Sequence, residues 1–371
     1  MVKLYGRNWT RQELVRHMGG ISQLGGVTLC QLEEGRFRGV RVAEFETGTG
    51  FSFNVLMDRG MDIGACKYQG TALAWEAAPG PTHPAYYESE GLGWLRSFPG
   101  GLVATCGLTY AGAPTIDEGK PLGLHGRISN TPASAVWADG AWHNDEYEMW
   151  VRGRMRETVI FGENLTLTRR ISARLGESCL TLRDLVVNEG CSVAPLMMLY
   201  HCNFGFPLLA EGTEVVAPSR SVVARDAVAA PDLDAHARYE APIDGYSEQV
   251  FYHDMAADQD GFVAVALANH GYNNGAGLGA YVKYRQAELP RFTQWKMVGA
   301  GTYVTGLEPA NCGVEGRDKD RASGKLQFLQ PGEQREFVLE IGVLPDNAAI
   351  ETLIKIMTPL KKLANKNSLK S

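Results

Sequence analysis

The sequence predicts an all-β fold, a large sandwich of antiparallel sheets. Three observations predict it. Short segments rich in valine, threonine and aromatic residues recur along most of the chain, several alternating apolar with polar. Turn dipeptides fall between them: Asp139-Gly140, Glu189-Gly190, Asp260-Gly261, Asn274-Gly275 and Pro331-Gly332. Strong helical periodicity is confined to Ala348 to Ala364. The 43 glycines supply the positive-φ corners that so many turns require.

In chain order, Thr10 to Glu13 fits a capping box opening a short helix that ends near Gly19-Gly20. Strands are expected at Arg38 to Phe45, Phe51 to Met57, Tyr147 to Met155, Leu165 to Ala173 and Leu180 to Asn188. Further strands are expected at Val193 to His201, Phe262 to Ala268, Gly279 to Tyr284, Arg291 to Val298 and Phe337 to Val343. Gly80 to Gly101 and Ala227 to Tyr246 are long irregular segments, a length typical of binding loops or lids as well as of plain surface excursions. No composition break divides the chain, so one domain is expected over 1–371. Residues 1–35 form an N-terminal extension with the short helix, and 347–371 a C-terminal helix and tail.

Composition removes several function classes. Net charge is −6 with dispersed Lys and Arg, so no nucleic-acid footprint is present. Seven cysteines without CxxC spacing argue against a disulfide framework and against a zinc site. No apolar h-region follows Met1, and no run of 18 apolar residues exists, so neither a secretory signal nor a membrane span is expected. A reducing cytoplasm is the expected compartment. No GxGxxG, P-loop or Gly-x-Ser-x-Gly motif suggests a nucleotide site or a serine nucleophile.

Three short segments carry candidate chemistry. His125 sits in Gly123-Leu124-His125-Gly126-Arg127, where glycines let backbone approach a ligand and Arg127 offers bidentate donors. The ordinary alternative is a turn histidine that only bonds a carbonyl. His201 closes the apolar run from Pro195, where a half-buried imidazole can titrate near neutrality, and Asn203 follows it. A satisfied core histidine reads equally well. Glu308 lies in Thr305-Gly306-Leu307-Glu308-Pro309; burying a lone carboxylate is costly and raises its pKa, unless an arginine pairs with it. Arg59, between Asp58 and Asp62, and Arg96, beside Trp94 and Phe98, could hold sugar hydroxyls or form structural ion pairs.

At these residues the chain resembles the aldose 1-epimerase (galactose mutarotase-like) superfamily, in a divergent bacterial branch, over about Val40 to Val343. Gly123 to Gly126 is similar to the family's first histidine motif, Tyr200-His201-Cys202-Asn203-Phe204 to its second, and Gly306-Leu307-Glu308-Pro309 to its glutamate motif, in the same order. The resemblance implies a β-supersandwich, no metal or organic cofactor, and interconversion of the anomers of a monosaccharide. It implies His201 as general acid on the ring oxygen, Glu308 as base at the anomeric hydroxyl, and His125 as a binding and polarising group. Arg96, Gln294 and Glu248 stand nearest the family's sugar-binding arginine, glutamine and aspartate. Arg127 replaces a family glycine, and Asp58 to Asp62 and Lys296 have no clear counterpart. Arg59, Arg96, Arg127 and Lys296 could therefore line an anionic pocket for a sugar phosphate. A non-catalytic sugar-binding module or sensor is the main rival; a glycoside hydrolase would need a second facing carboxylate besides Glu308. The expected partner is a small sugar, with no nucleic acid or membrane, and a homodimer is compatible with the sequence.

Overall fold

Three large antiparallel sheets carry the chain. The computed structural model describes residues 1–368, with side chains through Met357. Residues 369–371, the end of the expected C-terminal helix and tail at 347–371, lie outside the described residues.

The eight-stranded sheet runs in the order 134–143, 146–158, 164–174, 179–188, 334–344, 278–285, 262–269 and 214–216. Its strands show the alternation read in the sequence: along Glu146–Thr158, Tyr147, Met149, Val151 and Met155 are buried and their neighbours face outward. A five-stranded sheet (26–31, 41–46, 51–56, 62–68, 71–72) precedes it in the chain. The six-stranded sheet holds the strands used below: β1 (Ala104–Cys106), β2 (Leu199–Gly205), β3 (Ser219–Ala224), β4 (Gln249–Met255), β5 (Arg291–Gly299) and β6 (Thr302–Ala310). Its order is β3-β4-β5-β6-β2-β1. Bridges at Ile63–Val103 and Ala74–Phe204 join it to the five-stranded sheet. One apolar cluster draws residues from all three sheets, among them Phe45, Val55, Val151, Ile171, Phe204 and Leu307. This is the expected antiparallel sandwich.

Inside that core lies a charged network. Arg169 is fully buried and donates to Asp184 at 2.8 and 2.6 Å and to Asp62 at 3.1 Å. Tyr200 on β2 donates to Asp184 at 2.7 Å, and the Thr105 hydroxyl on β1 donates to Asp62 at 2.6 Å. All three sheets are thus tied together directly behind His201.

Local signals differ from the outcome in three places. The capping box at Thr10 and Glu13 forms, but the helix ends at Val15, before the glycine pair. The run Val193 to His201 is two strands, not one. Ala194–Leu196 pairs with Gln327–Leu329, whereas β2 pairs with β6 and β1 and continues to Gly205, so His201 is mid-strand rather than at an end. Between them, the N–H groups of Met197 and Met198 turn aside to Leu108 O and Asn311 Oδ1. A uniformly apolar run does not show such a change of partner. Asp139-Gly140 is not a turn but lies in strand 134–143, with the turn at Asn144 and Asp145. A Cβ on Gly140 would stand 2.2 Å from the Tyr147 hydroxyl, so packing explains that glycine.

The C-terminal helix, Asn347–Ser368, packs Ile350 and Met357 against Ala266, Ala268 and Leu344. Among the described residues no helix is long and apolar enough to cross a membrane.

Candidate active site

The six-stranded sheet floors a cavity of about 380 Å³. Alternation along each strand decides which side chains enter it. His201 of β2 faces the cavity, while its neighbours Tyr200 and Cys202 point into the core. Glu308 of β6, Thr293 and Trp295 of β5, and Glu248 just before β4 share that face.

His201 Nε2 lies 3.2 Å from Glu308 Oε1, and the two residues are 6% and 3% exposed. Their approach depends on Gly306. A Cβ there would stand 2.5 Å from Glu308 Oε1 and 3.0 Å from His201 Cε1. Burial pushes the Glu308 carboxyl up to about 8; the Glu248 charge adds to this and Arg225 opposes it. Burial pulls the His201 imidazole down to about 4, partly offset by Asn203. The free site at neutral pH therefore holds a protonated carboxyl against a neutral imidazole.

His125 sits at the other side of His201, ring centroids 5.9 Å apart and edge-on. Burial, then the His201 charge, lower it to about 3, so it is neutral. Its Nδ1 accepts the Gly112 N–H at 3.4 Å, which leaves the proton on Nε2 and makes it a hydrogen-bond donor. The flanking glycines serve neighbouring backbone rather than a ligand: Cβ atoms on Gly123 and Gly126 would strike Ser89 O at 2.1 Å and Tyr110 O at 2.2 Å.

Aromatic rings box in the histidines. Trp295 and Phe98 pack on His201 at 5.3 and 5.6 Å, and Trp94 on His125 at 4.8 Å. Trp94 stacks on Phe98 and donates its indole N–H to Ser129. The irregular segment 80–101 brings these two rings to the cavity, and Arg59 anchors it. Buried Arg59 donates to the carbonyls of Thr82 and Ser97 and to Asn130 Oδ1.

At the far edge, Arg225 pairs with Glu248 at 3.2 Å and with Asp226 at 2.8 Å. Trp295 donates its indole N–H to the other oxygen of Glu248 at 2.9 Å.

Of the residues singled out in the sequence, His125, His201, Glu308 and Glu248 line this cavity. Asn203 lies beneath it, its amide donating to the carbonyls of Gly101 and His201. Arg59 is the anchor just described. Arg96 points outward and pairs with Glu88 at 3.3 Å. Arg127 lines a different pocket with Tyr87 and Glu157. Gln294 and Lys296 alternate with Thr293 and Trp295 and so face the other side of β5. There Gln294 meets His253 and Tyr239, and Lys296 meets Glu240 and Arg238 O. Thr293, Trp295 and Arg225 were not singled out, and Trp94 and Phe98 only as neighbours of Arg96. The period of two along Arg291 to Val298 separates Trp295 from Gln294, but not which of the two faces a cavity. Among the described residues no cluster of three or more His, Cys, Asp or Glu is arranged to hold a metal.

Comparison with known proteins agrees with this architecture. A family model described as a domain of unknown function (DUF4432) matches residues 37–343. A solved structure of a candidate aldose 1-epimerase from Klebsiella pneumoniae superimposes with a TM-score of 0.85 at 26% identity, covering 90% of this chain and 87% of that one. A galactose mutarotase-like protein from Clostridium acetobutylicum gives 0.60 at 14% identity, over 86% and 99% of the two chains. A galactose 1-epimerase from Lactobacillus acidophilus gives 0.52 at 13%, over 86% and 98%. The last two show the shared fold. No curated protein matches the chain in sequence.

Proposed function

The chain belongs to the DUF4432 family, a divergent member of the galactose mutarotase-like superfamily, and from that premise we propose that it interconverts the anomers of a monosaccharide. The observation that carries this reading is the buried His201–Glu308 contact, with the neutral donor His125 beside it.

In ring opening the Glu308 proton first passes to His201 across the 3.2 Å contact; His201 then gives it to the ring oxygen while the Glu308 carboxylate takes the anomeric hydroxyl proton, and the ring C–O bond breaks. This leaves His201 neutral and Glu308 protonated, the distribution that burial favours in the free site. The free site is thus charge-matched to the open-chain carbonyl form, with the Glu308 proton ready for the carbonyl oxygen and His201 ready to accept from the attacking hydroxyl. Rotation about the C–C bond beside the carbonyl and closure on the opposite face return both protons. The His125 N–H steadies the oxygen on which charge develops.

One shared proton has to reside on the pair, which sets the pH dependence. kcat/KM is expected to be flat between about 4 and about 8. It falls below that window as both groups become protonated and above it as Glu308 loses its proton. A single limb near about 6.5, the ordinary imidazole value, would remove the pairing from the mechanism.

An uncharged sugar suits this cavity better than a phosphorylated one. Arg225, the one Arg or Lys among its described lining residues, already pairs with Glu248 and Asp226. The deciding experiment is NMR exchange spectroscopy at the anomeric signals of aldoses, ketoses, uronates and sugar phosphates, with and without protein. Accelerated exchange that is indifferent to inorganic phosphate supports the proposal. Line broadening without accelerated exchange supports a binding module instead.

A further inference from the structure

The cavity has two unlike walls. Across the sheet, polar groups follow strand order: His201 on β2, Glu308 on β6, Thr293 on β5, then Glu248 and finally Arg225. The facing wall is aliphatic: Leu92 and Leu95 on one turn, then Pro114, Leu124 and Val314. Three backbone N–H groups on that wall are already bonded within the protein. Leu124 N–H bonds Gly91 O, Ala113 N–H bonds Val314 O, and Leu95 N–H bonds Leu92 O. A hydroxyl placed against these five side chains would find no polar side-chain group to bond.

This asymmetry can be laid over a sugar ring, and here the inference rests on the reading of the cavity as a monosaccharide site. With the ring oxygen at His201 and the anomeric hydroxyl at Glu308, the next hydroxyls around the ring run along Thr293, Glu248 and Arg225. The substituent on the other side of the ring oxygen then lies beyond His201. His125, Trp94 and Leu124 stand on that side, and the His125 N–H is claimed by the ring oxygen. Leu92 and Leu95 are 60% and 48% exposed at the mouth, although Arg59 and Trp94 hold their segment in place. Such exposed leucines on an anchored turn gain a partner when an apolar group fills the cavity.

We propose that the site selects 6-deoxyhexoses, sugars carrying a methyl group where ordinary hexoses carry a hydroxymethyl group. The row from Thr293 to Arg225 reads the hydroxyls, and the aliphatic wall reads the methyl.

The test uses matched pairs that differ in this one hydroxyl: D-fucose with D-galactose, quinovose with D-glucose, L-fucose with L-galactose, and L-rhamnose with L-mannose. Anomeric exchange gives kcat/KM, and saturation-transfer NMR gives binding. In at least one pair the 6-deoxy sugar is expected to be favoured by roughly ten- to a hundredfold in kcat/KM. Leu95→Thr is expected to shrink that ratio by about threefold or more, because its hydroxyl offers the hexose a partner. Turnover with the parent hexoses equal or preferred throughout overturns the proposal but keeps the mutarotase reading. Tighter binding of 6-deoxy sugars without turnover keeps the proposal and overturns the catalytic reading. Absence of both binding and turnover overturns both.

Discussion

Glu308→Gln is expected to lower kcat for anomer exchange by roughly 10²–10⁴, the usual range for losing a positioned acid–base group. The substitution keeps the side-chain shape, and its amide can still meet His201 Nε2, so the fold should be unaffected. What it removes is the proton acceptor at the anomeric hydroxyl. His201→Ala is expected to cost as much, by removing the donor to the ring oxygen and leaving a buried carboxyl without its contact at 3.2 Å. Because one proton passes between the two, the double variant should lose little beyond either single variant. Losses that instead multiply would mean that the residues act separately, and near-normal rates in both singles would end the assignment.

Arg169→Ala is the change expected to cost most in stability, about 3–5 kcal/mol by the measure of broken buried ion pairs. It leaves Asp184 and Asp62 buried without their cation. Burial already pushes Asp62 up to about 6 against the opposing pull of Arg169, so its carboxylate has no margin once the guanidinium is gone. Urea unfolding midpoints of wild type and variant measure the effect. Replacing Arg169, Asp184 and Asp62 together by apolar residues should cost less than Arg169→Ala alone, because no orphaned charge remains. If the triple replacement costs more, the network contributes net attraction beyond compensating its own desolvation. Since Tyr200 reaches Asp184 from the residue next to His201, Arg169→Ala should also loosen the site from behind, seen as a rise in KM.

Strand content, the capped N-terminal turn and the three segments around His125, His201 and Glu308 were legible in the sequence. Each is local: a period of two follows from backbone geometry, and a capping box needs only four consecutive residues. Which residues meet across the sheets is not local. That Glu308 lies against His201 depends on the pairing of β6 with β2; Gly306, two residues before Glu308, leaves the room but does not say which strand fills it. Period two separates Gln294 and Lys296 from Thr293 and Trp295, but which pair faces the cavity follows from where the sheet is covered. The charge on Arg59 reads as a ligand contact until the fold buries it among the carbonyls of Thr82 and Ser97. Arg225 stands in an unremarkable stretch and gains its place only when β3 and β4 bring it to Glu248. The sequence by itself determined the elements and the chemical groups. Tertiary structure decided their partners, because register and burial arise from contacts between segments distant in the chain.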